Sequence, residues 1–256
     1  MKIIPNESLK RSLIRKYFRE TRKVLVKVRQ EVIAQAEHSS PEQLKTMIPY
    51  LLNRQVMSDH LVKIWEDVGS RFAFDTEKKI TRGKQKSKAD DEAKLADWKR
   101  KLRAYASERS LIKAQAILTT EQEAINKVID AVIKETLDEG LGILETRKLL
   151  LHDLEGEEML TMEKWQAQRI AMTEVGGAQN TASFEAAQEN SEGVKKFWMF
   201  IPGLKTYREN HQEFEAMGSQ EMDYEYAPGL QYPGDENGAA EEVINCYCSI
   251  GYDTGN

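Results

Sequence analysis

Residues 120–140 read TEQEAINKVIDAVIKETLDEG. Ile125, Val128, Ile129, Val132, Ile133 and Leu137 recur every three or four positions, which gathers them on one face of an α-helix. Gly140 is the expected stop, since glycine accepts the left-handed conformation that closes many helices. Upstream, helical pattern is expected from near Asp91 through Thr120-Glu-Gln-Glu123, a capping-box sequence in which the Thr120 hydroxyl can bond the Glu123 amide while Glu123 reaches back.

The same periodicity extends outward. From Glu7 to Gln35, Leu9, Leu13, Tyr17, Leu25, Val28 and Val32 predict one long amphipathic helix among Lys and Arg. Ser40-Pro41 reads as a helix start, with serine as cap and proline in the first turn, for a helix running toward Val68 that Pro49 bends or divides. Residues 75–91 carry several cations and little to bury, so a basic flexible linker is expected there. Further helices are predicted over Ile143–His152 and from near Thr161 through Trp165, Ile170, Val175 and Phe184, the last accommodating Gly176-Gly177 at some cost in helix stability. Only five glycines precede residue 176 and ten fall from Gly176 onward, so helices give way to loops and strands late in the chain. A strand is expected at Phe197–Ile201, stopped by Pro202-Gly203, and a second over Glu242–Ile250, with a turn-rich acidic loop at 217–240 between them. The reading is an α+β fold in four stretches: a helical region 1–74, the linker 75–91, a helical part 92–190, and a small loop-rich unit 191–256.

With 256 residues the chain can bury a sizeable core without cross-links. No run approaches the roughly 18 apolar residues of a membrane span, and the N-terminal residues lack the apolar segment of a secretory signal. Synthesis in the cytoplasm follows as an expectation, with two cysteines serving there as thiols or metal ligands rather than a disulfide. Residues 1–113 hold 27 Lys and Arg against 15 Asp and Glu, or +12, and the remainder is therefore −17. A basic half suits phosphate or an acidic protein surface, whereas the acidic half is repelled by nucleic acid. Two ordinary solvated faces that partly neutralise one another are the plainer alternative.

Both cysteines fall in the last quarter. On an extended segment, residues two apart share a side, so Cys246 and Cys248 would aim both sulfurs at one point, where His211 and Asp235 complete a tetrahedral set suited to zinc. The cation would fasten the 217–240 loop to the terminal strand. Two buried thiols beside a hydrogen-bonded histidine form the competing reading. The same residue types suit thiol catalysis, with His211 as base and Asp235 as orienter, or acid–base work by Glu174 and His211. No phosphate loop, nucleophile elbow or paired-metal pattern accompanies them. Thr173-Glu174 reads as a helix-surface hydrogen bond or a salt bridge from Glu174 to Arg169, the four tryptophans as core, and His38, His60 and His152 as surface or core residues without a partner pattern.

In order, the chain presents Ala171-Met-Thr173-Glu174, Trp198, Arg208-Glu-Asn-His211, Tyr232-Pro233-Gly234-Asp235 and Asn245-Cys-Tyr-Cys248. This succession resembles the phage Mu F-like minor head proteins, or head morphogenesis proteins, over roughly residues 110–253. Met172 and Tyr247 stand where the family usually has arginine. The resemblance implies a virion structural protein of a tailed phage or prophage, not an enzyme. It would bind the portal and the capsid or scaffold proteins in the host cytoplasm during head assembly and remain in the capsid interior at the portal vertex. An internal virion protein that contacts packaged DNA through the basic half and affects its ejection is the alternative, with a thiol- or metal-dependent enzyme third.

Overall fold

The structure, a computed structural model, describes residues 1–81, 88–190, 192–202 and 208–255. The fold is α+β: long helices dominate, and a small three-stranded antiparallel sheet closes the chain. In order the elements are β1 (Lys2–Ile3), α1 (Glu7–Ala36), α2 (Pro41–Leu51), α3 (Arg54–Ile64), a π-helical turn (Trp65–Gly69), α4 (Ser70–Ile80), α5 (Lys88–Glu139), α6 (Ile143–Leu154), α7 (Glu157–Glu189), β2 (Lys195–Met199), α8 (Glu209–Ala216), α9 (Ala240–Val243) and β3 (Ser249–Asp253). None of the described helices is long and apolar enough to cross a membrane.

The compact units are not consecutive stretches. One comprises residues 1–18, 62–106 and 169–256, and the other residues 19–61 and 107–168. The boundary expected near residue 190 therefore does not separate units, because the terminal strand needs partners from far away. Central β3 pairs with β1 through Ile3 and Tyr252 and with β2 through Trp198 and Ile250.

In the first unit, Leu13, Ile14 and Tyr17 of α1 pack with Trp65, Val68, Phe72 and the Ala171–Ala178 face of α7. A second cluster joins Phe184, Tyr232, Ile250 and Tyr252. Asp67 on the π-turn accepts hydrogen bonds from Tyr17 Oη at 2.7 Å, Lys16 Nζ at 2.8 Å and Arg71 Nε at 2.9 Å. Burial alone would raise its pKa, but the hydrogen bonds from Lys16, Tyr17 and Arg71 outweigh it and hold the carboxyl at about 2. A carboxyl depressed on folding contributes stability above its unfolded pKa and loses it as pH falls through the folded value. Asp67→Asn is expected to cost about 1–2 kcal/mol at pH 7 after solvent screening. Urea melts of both proteins should converge as pH falls from about 4 to about 2; a gap that persists at the acid end would remove Asp67 from this role.

In the second unit, Leu25, Val28 and Val32 of α1 are buried, as are Ile125, Ile129 and Val132 of α5. Arg29 lies between two buried glutamates, with Nε 2.8 Å from Glu121 Oε1 and Nη1 3.3 Å from Glu163 Oε2, and Arg22 Nε meets Glu163 at 2.7 Å. Burial pushes Glu121 above the usual carboxylate range despite Arg29.

Several expectations are corrected. Thr120–Glu123 is helix interior, not a start: Glu121 is buried on Arg29, and the Thr120 hydroxyl bonds back to Ala116 O. Gly140 does stop α5, at φ +64°, with Leu141 N donating to Thr136 O. Ser40 forms its capping box with Gln43, but Pro49 stays inside α2, and the break falls at Asn53, whose side chain caps α3 through Gln55 N and Val56 N. The basic linker 75–91 is helical at both ends, Asp75–Ile80 and Lys88–Asp91, because buried Glu77 accepts from Trp98 Nε1 at 3.1 Å and pairs with Lys94; residues 82–87 lie outside the described residues. Glu242–Ile250 is not a strand. Its first residues form α9, and pairing begins only at Ser249. Trp165 is exposed while the other three tryptophans are buried. Part of the predicted strand stop, Gly203, and Tyr207 beside Arg208 also lie outside the described residues.

Candidate metal centre

Helix α7 organises the site by offering the small surface of Gly177 to the Tyr232–Asp235 turn. A Cβ on Gly177 would meet Trp65 Cζ2 at 3.4 Å and Gly234 O at 3.7 Å. Gly234 adopts φ +79°, and a Cβ added to it would meet Gly177 Cα at 3.2 Å. The pair seats the Tyr232–Asp235 turn on the helix, and Tyr232 stacks on Phe184 of the same helix at 4.6 Å. One turn earlier, Thr173 Oγ1 accepts from Asn245 N at 2.9 Å, and Glu174 Oε2 accepts from Trp65 Nε1 at 2.6 Å. Glu174 is thus buried rather than on a helix surface. Asn245 sits at φ +64°, a conformation asparagine tolerates better than branched residues. Arg208 Nη2 donates to Ile244 O at 2.7 Å.

These contacts turn the Asn245–Cys248 segment over α8. His211 Nδ1 lies 3.6 Å from Cys246 Sγ and 3.6 Å from Cys248 Sγ, and all three side chains are buried. Both cysteines are free thiols. The convergence comes from a tight irregular segment rather than from strand alternation. Trp198 packs edge-on against His211 at 4.9 Å, Phe214 at 5.1 Å and Tyr226 at 5.0 Å, which encloses the cluster. A hydrogen bond from Cys246 lowers the Cys248 thiol, and His211 adds to the effect; the same bond and burial push Cys246 up.

Asp235 is not among these residues. Its carboxylate accepts from Gln231 N at 3.0 Å and from Asn237 N at 3.1 Å, holding its own turn. The group that faces the histidine is Glu242, whose Oε2 lies 2.7 Å from His211 Nε2. With Nε2 donating to that carboxylate, Nδ1 turns its lone pair toward both sulfurs, an arrangement that a hydrogen-bonded pair of thiols or a shared cation would each satisfy. Tetrahedral zinc with bonds of about 2.05 Å to nitrogen and about 2.3 Å to sulfur separates the two ligand types by about 3.6 Å. Among the described residues, His211, Cys246 and Cys248 form the group able to hold a metal ion, their ligand atoms within 4.8 Å of one another. Were a cation held there, Glu242 would supply the carboxylate that fixes the tautomer of a ligating imidazole.

Glu242 is hidden in the sequence because an extended reading of 242–250 points it no differently from its neighbours; as a residue of α9 it faces α8. Of the other histidines, His38 and His152 are exposed, while His60 is buried with Nε2 2.8 Å from Thr21 Oγ1. Met172 is buried in the core, and Tyr247 is half-buried with Lys10 Nζ 5.1 Å from its ring centre. Compared with protein-family models, curated proteins and solved structures, the chain shows no significant match.

Proposed function

We propose that this chain is a Mu F-like minor head protein of a tailed phage or prophage, a structural protein that acts in procapsid assembly by binding the portal and the capsid interior. One observation carries the reading: the motif elements scattered over residues 171–248 touch one another or α7 within one compact unit, each with its own physical task. Thr173 fixes the amide before the cysteines, Gly234 admits the turn to α7, Arg208 holds the Ile244 carbonyl, and Trp198 covers His211. The resident cation in this reading is zinc, in a structural role, tying α8 to the chain ahead of β3.

Docking on protein fits the basic half better than DNA binding does. The remainder of the chain, at −17, opposes close approach to a packed genome. Expressed with the portal, scaffold and major capsid proteins of its own phage under a block on DNA packaging, the protein is expected to sediment with procapsids and to be retained by immobilised portal. Appearance only in DNA-filled heads, with binding to duplex DNA that falls steeply with salt, would favour the internal DNA-contacting protein instead.

A further inference from the structure

Lys10 occupies a position on the inward face of α1, one turn before Ile14 and two before Tyr17, where an apolar side chain would be ordinary. It is fully buried, and its Nζ donates to Tyr247 O at 2.9 Å, Cys248 O at 3.0 Å and Ser249 Oγ at 2.9 Å, using all three ammonium protons. Ser249 Oγ donates in turn to Glu7 Oε1 at 2.6 Å, so the first turn of α1 grips this segment twice. From the opposite side Asn180 of α7 donates to Cys248 O at 3.1 Å. Burying an ammonium is costly, and burial pushes the Lys10 pKa below its ordinary value. An apolar residue would fill the same space without that cost, but it could not hold two consecutive carbonyls in the cysteine segment.

We propose that Lys10 is a positioning residue of the metal centre: seating the first turn of α1 fixes the backbone between the two cysteines, and with it the spacing of the two sulfurs on His211. The proposal rests on reading the cluster as a cation site. Affinity for the cation then depends on α1 being docked, and by linkage the bound cation strengthens the docking of α1 by the same factor. The N-terminal helix and the C-terminal centre, more than 200 residues apart in sequence, become one binding event.

The test uses the full chain, stripped of metal and titrated with cobalt(II), whose absorption reports thiolate ligation and tetrahedral geometry. Wild type is expected to bind one equivalent with thiolate-to-cobalt bands. Lys10→Met should keep the band positions and the folded circular dichroism but bind roughly 10- to 100-fold more weakly, the usual effect of losing an outer-shell support. Ser249→Ala, which removes one acceptor from Lys10 and the link to Glu7, should weaken binding in the same direction by less; it decides the matter if Lys10→Met does not fold. Affinities of the folded variants within twofold of wild type would overturn the role of Lys10 while leaving the cation site standing. Wild type that takes up no cobalt would overturn both.

Discussion

Stripping the cation from the purified protein with a strong chelator is expected to lower its thermal midpoint by roughly 8–16 °C relative to protein held at a zinc concentration about a thousandfold above the dissociation constant. A ligand at that excess contributes about 4 kcal/mol to the folded state, and each kcal/mol moves the midpoint of a domain of this size by roughly 2–4 °C. The effect is expected to be large because the three ligands come from α8 and from an irregular segment that has no sheet pairing until Ser249. His211→Ala should melt below the chelated temperature, having also lost its packing on Trp198 and its bond to Glu242, and gain nothing from added zinc. Calorimetry with and without chelator measures both, and a wild-type midpoint indifferent to chelation would dispose of the structural cation.

Trp198→Ala should destabilise the protein by about 3–5 kcal/mol, the usual range for emptying a large aromatic from a core. Trp198 is 1 % exposed and touches His211, Phe214 and Tyr226 at once, so collapse around the hole would have to move the ligand histidine. Two readouts should therefore move together: the urea midpoint, and the stoichiometry of bound zinc under mild chelation. A loss of stability with zinc retained in full would mean that the tryptophan fills space without supporting the centre.

The helices were legible because their apolar spacing is local information. α1 and the Ile143 helix match their sequence patterns to within a few residues, and Gly140 and Ser40 mark an end and a start as their chemistry requires. Thr120–Glu123 misled because a capping box depends on what lies before it, and helix-forming residues continue unbroken from Lys88. The site was half legible. Two cysteines two apart and a histidine are types that chemistry brings together, and His211, Cys246 and Cys248 do meet. Asp235 and Glu242 could not be ranked from sequence, since both are acids in loop-rich surroundings and only the turn at Gly234 and the helix at Ala240 decide which one faces the imidazole. Lys10 left a faint mark, a charge on an otherwise inward-facing register of α1, and its meaning needs a partner more than 200 residues away.

The five-residue π-turn at Trp65–Gly69 acts on phase. An α-helix advances about 100° per residue, so one residue accommodated without a loop rotates everything after it by about that angle while the rod runs on. At its start, Trp65 points its indole at Glu174; beyond it, Thr76 meets Ser183 Oγ at 2.6 Å, further along the same α7. A single-residue deletion inside 65–69 would let the ordinary ladder close and would look harmless in a helix-propensity plot. It would nonetheless carry Phe72 and Thr76 off the face they now share with α7, so tolerance to length change here should be lower than tolerance to substitution.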